Sequence, residues 1–166
     1  MSEHADLAVR LARTDELDVV SDLTVQSYLD GAGLEPDSEY LPTLRRARDR
    51  AAASPLYVAV RDDVVVGALS VCPYGSLWSE IAEPGEVELR MLVVARSARG
   101  TGVADALLAA ADAFARERGD HALVLSVIRD NAPAHRLYAR HGFLRIPERD
   151  WDPTPEAHLL TYTRAV

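Results

Sequence analysis

Val87-Glu88-Leu89-Arg90-Met91-Leu92-Val93-Val94, then Arg99-Gly100-Thr101-Gly102, then Val103 to Arg116, then Ala122 to Ile128: these four stretches decide the fold. The first and last are apolar runs of strand length. The third sets Val103, Leu107, Leu108, Ala111, Phe114 and Ala115 on one stripe at helical spacing. Gly119 supplies a helix stop before the second run. Strand, helix, strand at this separation is a βαβ unit, whose strands run parallel through a right-handed crossover.

Upstream, Leu7 to Leu11 alternates apolar and polar and reads as a half-buried strand. Thr14 then caps a helix carrying Leu17, Val20, Leu23 and Leu29, with Asp15 and Glu16 favourably placed in its first turn. Asp30 to Ser38, with two glycines and a proline, reads as loop. A second helix is expected over about Thr43 to Ala53, its arginines outward. Tyr57–Val60 and Val64–Val71 read as a hairpin turned at Arg61-Asp62-Asp63. Pro73 to Gly85 reads as a long loop whose Tyr74, Trp78, Glu80 and Glu83 suit either a binding wall or core-covering packing.

Downstream of the unit, Ala132 to about Arg140 reads as a short helix. Gly142-Phe143-Leu144 opens a strand, and Ala157 to Thr163 forms one more. The class is α/β with a mixed sheet, and 166 residues are expected to form one domain.

All 18 basic residues are arginine. The absence of lysine excludes a Schiff-base lysine, a phosphate-loop lysine and self-acetylation on a lysine side chain. The formal net charge of -8 repels a phosphate backbone and argues against nucleic acid as a partner. It mildly favours a cationic one, although solubility alone explains such a charge. One cysteine, Cys72, cannot form an internal disulfide, and no Cys/His cluster has zinc-ligand spacing, so no metal is expected. No stretch reaches the length of a membrane span. The polar Met1 to Asp6 lacks the features of a secretory signal, which makes cytoplasm the expected location.

The chemistry points to Arg99-Gly100-Thr101-Gly102-Val103-Ala104. Two glycines let the backbone curl closely where a helix begins, and its unpaired N–H groups and dipole make an anion site suited to a pyrophosphate. Arg96 and Arg99 add charge at the mouth. A plain tight connection uses the same residues. A G-x-x-x-x-G-K-[ST] loop is excluded because no lysine is present. The dinucleotide pattern G-x-G-x-x-G fails because Asp105 occupies its third glycine position.

The hexapeptide also fits [Q/R]-x-x-G-x-[G/A], a signature of the GNAT superfamily of acyl-CoA N-acyltransferases, which the chain resembles. A second region, Asn131-Ala132-Pro133-Ala134-His135-Arg136-Leu137-Tyr138 followed by Gly142-Phe143, is similar to that family's N-x-x-A-x-x-L-Y-x-x-x-G-F. Val9-Arg10-Leu11-Ala12 and the hairpin before Gly67 fit as well, so the resemblance covers nearly the whole chain, most weakly over residues 30–55 and 73–86. It implies a mixed, mostly antiparallel central sheet with a parallel βαβ cofactor-binding unit and splayed central strands. It also implies acetyl-CoA as co-substrate and direct transfer to a primary amine.

Residue by residue, the resemblance implies that backbone N–H groups of Arg99, Gly100, Thr101, Gly102, Val103 and Ala104 grip the pyrophosphate. Leu92 and Val94 would bind the pantetheine arm through their backbones, and an N–H near Leu92 would polarise the thioester carbonyl. Tyr138 corresponds to the tyrosine that protonates the leaving thiolate; its bland alternative is an aromatic closing the core. Asn131, on the same helix face, is either a cofactor contact or an N-cap. Glu88 is either a general base or half of an ion pair with Arg90, and Glu86 is a weaker base candidate. His135 and His141 receive no role, and Cys72 no acyl-enzyme role.

The acceptor pocket is expected from Asp30–Ser38, Pro73–Gly85 and Pro147–Pro155 with Trp151. These segments are acidic and near aromatics, which suits a small cationic amine. A peptide or protein amine, a larger acyl donor, a non-catalytic CoA-binding module and a homodimer all stay open.

Overall fold

In the computed structural model the apolar or β-branched runs Leu56–Val60, Val64–Val66 and Ala122–Leu125 each begin a strand. The structure describes residues 6–166; the N-terminal stretch read above lies outside them except for Asp6. In chain order the elements are β1 (Ala8–Leu11), α1 (Leu17–Gly31), α2 (Leu41–Leu44), α3 (Ala47–Ala53), β2 (Leu56–Arg61), β3 (Val64–Pro73) and β4 (Glu86–Val94). There follow α4 (Val103–Arg118), β5 (Ala122–Ile128), α5 (Ala132–Arg140), β6 (Leu144–Arg145), β7 (Trp151–Thr154) and β8 (Ala157–Ala165). They build one eight-stranded sheet in the order β1-β2-β3-β4-β5-β8-β6, with β7 pairing β8. Only β4 and β5 are parallel; the other pairs are antiparallel.

The hairpin between β2 and β3 turns through Asp62 and Asp63, both at positive φ (50° and 61°). That handedness matches the twist of the flanking strands, and aspartate tolerates it. One face of the sheet carries α4, whose buried stripe Val103, Leu107, Leu108, Ala111 and Ala115 packs on Leu69, Val87, Leu89 and Leu123. Gly67 is required at that contact, since a Cβ there would lie 2.6 Å from Val103 Cγ1. The opposite face carries α1 and α3, with Leu17, Val20 and Ala47 against Val58, Ala68 and Val93.

Three expectations need correction. Thr14 does not cap α1: Thr14–Glu16 form a 3-10 turn, and the Glu16 carboxylate accepts the Arg13 N–H at 2.8 Å while pairing with Arg10 at 2.7 Å. The helix expected over Thr43–Ala53 is two short helices, and their junction is tied to α1 where Ser21 Oγ donates to the Arg45 carbonyl at 2.7 Å. Arg50 points inward and is 1% exposed, donating to Ser70 Oγ at 3.2 Å and the Leu44 carbonyl at 3.1 Å.

Candidate active site

Parallel pairing between β4 and β5 extends only from Glu86–Glu88 against Ala122–Val124. Beyond it the strands diverge, so Leu89–Val94 and Leu125–Ile128 face each other without ladder partners between them. A cleft of about 620 Å³ opens there. Its walls come from both faces of the sheet: Tyr28 and Tyr40 from the α1–α2 side, Asn131 and Tyr138 from α5, and Trp151 from β7.

Strand β4 also carries a bulge. Ala68 pairs with Val93 and Ser70 with Arg90, so Met91 and Leu92 together oppose the single residue Leu69. Met91 takes φ 55°, a left-handed conformation uncommon for a large side chain. Its consequence is a phase change: Arg90 and Met91 both turn toward the α1 side, while Leu92 packs on the α4 side. Bulges of this kind re-aim side chains beside functional sites.

At the mouth, the turn before α4 carries Gly100 at φ 72° and Gly102 at φ 88°. Among the described residues, the N–H groups of Gly100 to Ala104 donate to no other backbone group. A Cβ at Gly100 or Gly102 would meet nothing within 4 Å, so the space over the turn is open. Arg61 reaches across from β2 to donate to Thr101 Oγ at 3.0 Å and to its carbonyl at 3.3 Å. Arg96 pairs with Asp30 at 3.0 Å, and Arg99 has no ion-pair partner among the described residues.

Tyr138 is buried, its ring set edge-on to Phe143 at 5.5 Å and tilted against Tyr162 at 6.4 Å. Burial pushes its phenol up from the ordinary tyrosine value, so the hydroxyl stays protonated. Asn131 caps α5, its Oδ1 accepting the Ala134 N–H at 3.3 Å while the residue also borders the cleft. His135 is no free surface histidine: its Nε2 meets the carbonyls of Ile128 and Arg129 at 3.1 and 3.0 Å, and its Nδ1 meets Tyr162 Oη at 2.7 Å. Carbonyl oxygens only accept, so Nε2 is the donor to them.

Glu88 lines the cleft, and its Oε2 accepts from Ser79 Oγ (3.2 Å), Glu80 N (2.6 Å) and Ile81 N (2.9 Å). Burial raises its pKa against the lowering effect of those N–H groups. Arg90 makes its ion pair with Glu80, at 3.3 Å, rather than with Glu88. Glu86 is committed to Arg149, at 2.9 Å.

A glycine turn with free N–H groups, two parallel strands parted beyond it and a tyrosine between them are the parts that the sequence motifs led us to expect. The profile of the acetyltransferase (GNAT) family matches residues 17–143. The chain belongs to the acetyltransferase (GNAT) family. Among solved structures, an acetyltransferase of the GNAT family from Staphylococcus aureus Mu50 superposes with TM-score 0.76 at 14% identity, over 96% of this chain and 99% of the other. A ribosomal-protein-alanine N-acetyltransferase from Brucella melitensis gives 0.69 at 24% identity, over 96% and 99%. PaiA N-acetyltransferase from Thermoplasma acidophilum, solved in complex with coenzyme A, gives 0.72 at 16%, over 94% and 98%. At these identities the likeness is one of fold. No curated protein matches the sequence.

In this GNAT chain the three segments expected around an acceptor do meet: Gly31, Leu34, Glu80, Trp151 and Pro153 all border the one cleft. Trp78 does not join them. It is 7% exposed and lies under the guanidiniums of Arg46, Arg50 and Arg90, whose Cζ atoms are 5.1, 5.9 and 5.5 Å from its ring centroid. Tyr28 and Tyr40, expected to flank the first acceptor segment, both border the cleft. Sequence reasoning missed Arg61 and the bulge. Arg61 acts across a long separation, and Met91 carries no glycine to announce its positive φ.

Proposed function

We propose that the protein transfers an acetyl group from acetyl-CoA to the primary amine of a small molecule, by direct attack in a ternary complex, within one catalytic domain. The observation that carries this reading is the parted β4–β5 pair, with the Tyr138 phenol on its wall and unpartnered N–H groups at its mouth. The residues fit the co-substrate: the N–H groups from Gly100 to Ala104 and the open space above Gly100 and Gly102 suit a pyrophosphate, while the Arg99 N–H is taken by the Arg96 carbonyl at 3.4 Å. Arg61 and Arg99 add positive charge there. The coenzyme A held by the Thermoplasma relative supports the same assignment.

Leu92 and Val94 lie on the stretch of β4 that lacks a strand partner on the β5 side, so their backbone groups serve a pantetheine arm as an added strand would. An N–H next to the bulge at Met91 is placed to stabilise the oxygen of the thioester carbonyl as charge develops on it. Acetyl-CoA supplies the activated acyl carbon. The amine nitrogen forms the new C–N bond, the C–S bond breaks, and the sulfur takes a hydrogen bond or proton from Tyr138. The proton lost by the amine passes to Glu88, through a water where the distance requires one. Asn131 fixes the start of α5 and with it the reach of Tyr138.

Cys72 is fully buried, and burial pushes its thiol up, which supports direct transfer over an acyl-cysteine. The test is thiol release from acetyl-CoA over a broad amine panel, beside CoA binding by thermal shift. Turnover with any amine supports the reading. Binding without turnover on every amine would favour a non-catalytic CoA-binding module.

A further inference from the structure

Arg90 is the one cationic side chain lining the cleft among the described residues. Its Nη1 donates to the Trp78 carbonyl at 3.0 Å and its Nη2 to Tyr40 Oη at 3.3 Å. Its single charge partner, Glu80, is 3.3 Å away and 43% exposed, against 13% for the Arg90 side chain. The ion pair thus joins a desolvated cation to a carboxylate still in water, where attraction is weak.

Behind Arg90, on the same indole, lies Arg50. It has no carboxylate within 4.0 Å among the described residues, and burial pulls it down to about 10. Of the three guanidiniums on this indole, Arg46 pairs with Asp49 at the surface, while Arg50 and Arg90 are buried. Buried cations are ordinarily paired, yet the acidic groups facing these two are the solvated Glu80 and Glu88, whose carboxylate is held by Ser79 Oγ and the N–H groups of Glu80 and Ile81, so neither guanidinium has a desolvated ion-pair partner.

Resting on the acetyltransferase reading above, we propose that the acceptor is an amine that also carries a carboxylate, bound by the guanidinium of Arg90 with the hydroxyl of Tyr40. Glu88 and Arg90 are alternate residues of β4 on one face, about 7 Å apart along the strand. A carboxylate seated at Arg90 therefore holds an amine one to three carbons away on the Glu88 side, between that carboxylate and the acyl carbon. Glu39, Glu88 and Glu156 also border the cleft and attract the ammonium end of the same molecule. An amino acid satisfies both signs, whereas a simple diamine leaves Arg90 facing a like charge. Charge changes during the step agree: once Glu88 has taken a proton, an acceptor carboxylate still balances Arg90.

The experiment measures kcat/KM for matched pairs, leucine with isopentylamine and phenylalanine with phenethylamine, together with 4-aminobutyrate and putrescine. The amino carboxylate is expected to lead within the pairs by about tenfold or more. Arg90→Gln should lower the amino carboxylates by about 100-fold and the plain amines far less, a charge-assisted contact being at stake. Arg90→Lys, which keeps the charge but not the fork, should fall between. Glu80→Gln, at an exposed position that tolerates substitution, removes the competing partner and should raise amino-carboxylate kcat/KM a few-fold. A cationic-acceptor site predicts a decrease instead. Preference for the plain amine or putrescine throughout, or a loss in Glu80→Gln, overturns the proposal. If no amine is consumed, the acetyltransferase reading falls separately. Calorimetric titration of leucine and 4-aminobutyrate into the CoA-saturated protein then decides the carboxylate site: binding that Arg90→Gln abolishes upholds it, and no binding overturns it.

Discussion

Tyr138 is buried enough that its phenol titrates above the ordinary tyrosine range, while a thiol leaving group has a pKa near 8.5. Complete proton transfer to a thiolate is therefore uphill, and its useful contribution is a hydrogen bond to sulfur as the C–S bond breaks. Tyr138→Phe keeps the ring contacts with Phe143 and Tyr162, so Tm should barely move. The expected loss in kcat is about 10–100-fold, the low end for general acid help. Steady-state kinetics beside a CoA titration checks it, and unchanged kcat would pass the role to water. Glu88 has two jobs that compete. Its Oε2 anchors residues 79–81, and as a base it must be ionised. Burial raises its pKa, so the ionised fraction falls as pH drops through a value above the usual carboxylate range. At saturating amine, log kcat should show an acid limb there, and Glu88→Gln should abolish the limb. A limb that survives the substitution would leave Glu88 as an anchor alone.

Among the elements, the turn into α4 does most for binding. Gly102 sits at φ 88° with open space beyond, so aspartate there adds strain and a negative charge facing the anion site. Gly102→Asp should weaken CoA by more than tenfold in calorimetry, and Gly102→Ala, the control for strain, by much less. Equal affinities would move the pyrophosphate elsewhere. The start of α1 is pH-dependent: the side-chain hydrogen bond from Arg10, then the Arg13 N–H, hold Glu16 down to about 2. A depressed folded pKa stabilises above the unfolded value and is lost as pH falls through the folded one. Glu16→Gln should thus lower Tm by about 2–4 °C at pH 7, and the difference should vanish near pH 2. Elements whose signals are local were legible in the sequence. β5 and α5 begin and end where the apolar run and the Asn131-Ala132-Pro133 cap place them. Gly119 stops α4 two residues past the predicted end, with a left-handed cap at φ 78°. What sequence reading missed depends on tertiary partners. The break at Arg45-Arg46 follows from a bond to Ser21, and Arg50 turns inward because Ser70, Leu44 and Trp78 receive it. An arginine pattern cannot announce that, since exposed and buried arginines look alike in the chain.

At the scale of the whole molecule, the sheet is two antiparallel halves, β1-β2-β3-β4 and β5-β8-β6, joined through one short parallel contact. The packing of α4 on β3, β4 and β5 bridges that junction on one face, and no strand of the described residues fills the gap beyond Glu88. The family motifs made the parted strands an expectation, but their cause is geometric. Parallel strands held together at one end and twisted past a bulge separate at the other. A pantetheine arm seated there would replace the missing ladder on both edges. Ligand at 100 times its Kd adds about 2.7 kcal/mol of stability, which for a chain of this size raises Tm by about 5–10 °C. The same bond formation should slow hydrogen exchange in two separated segments at once, Leu89–Val94 of β4 and Leu125–Ile128 of β5, while β2 and β3, already paired on both sides, change little. Exchange mass spectrometry with and without CoA reads this directly. A rise in Tm without slowing in both segments would mean that CoA binds outside the cleft, and the roles given to Leu92 and Val94 would fall with it.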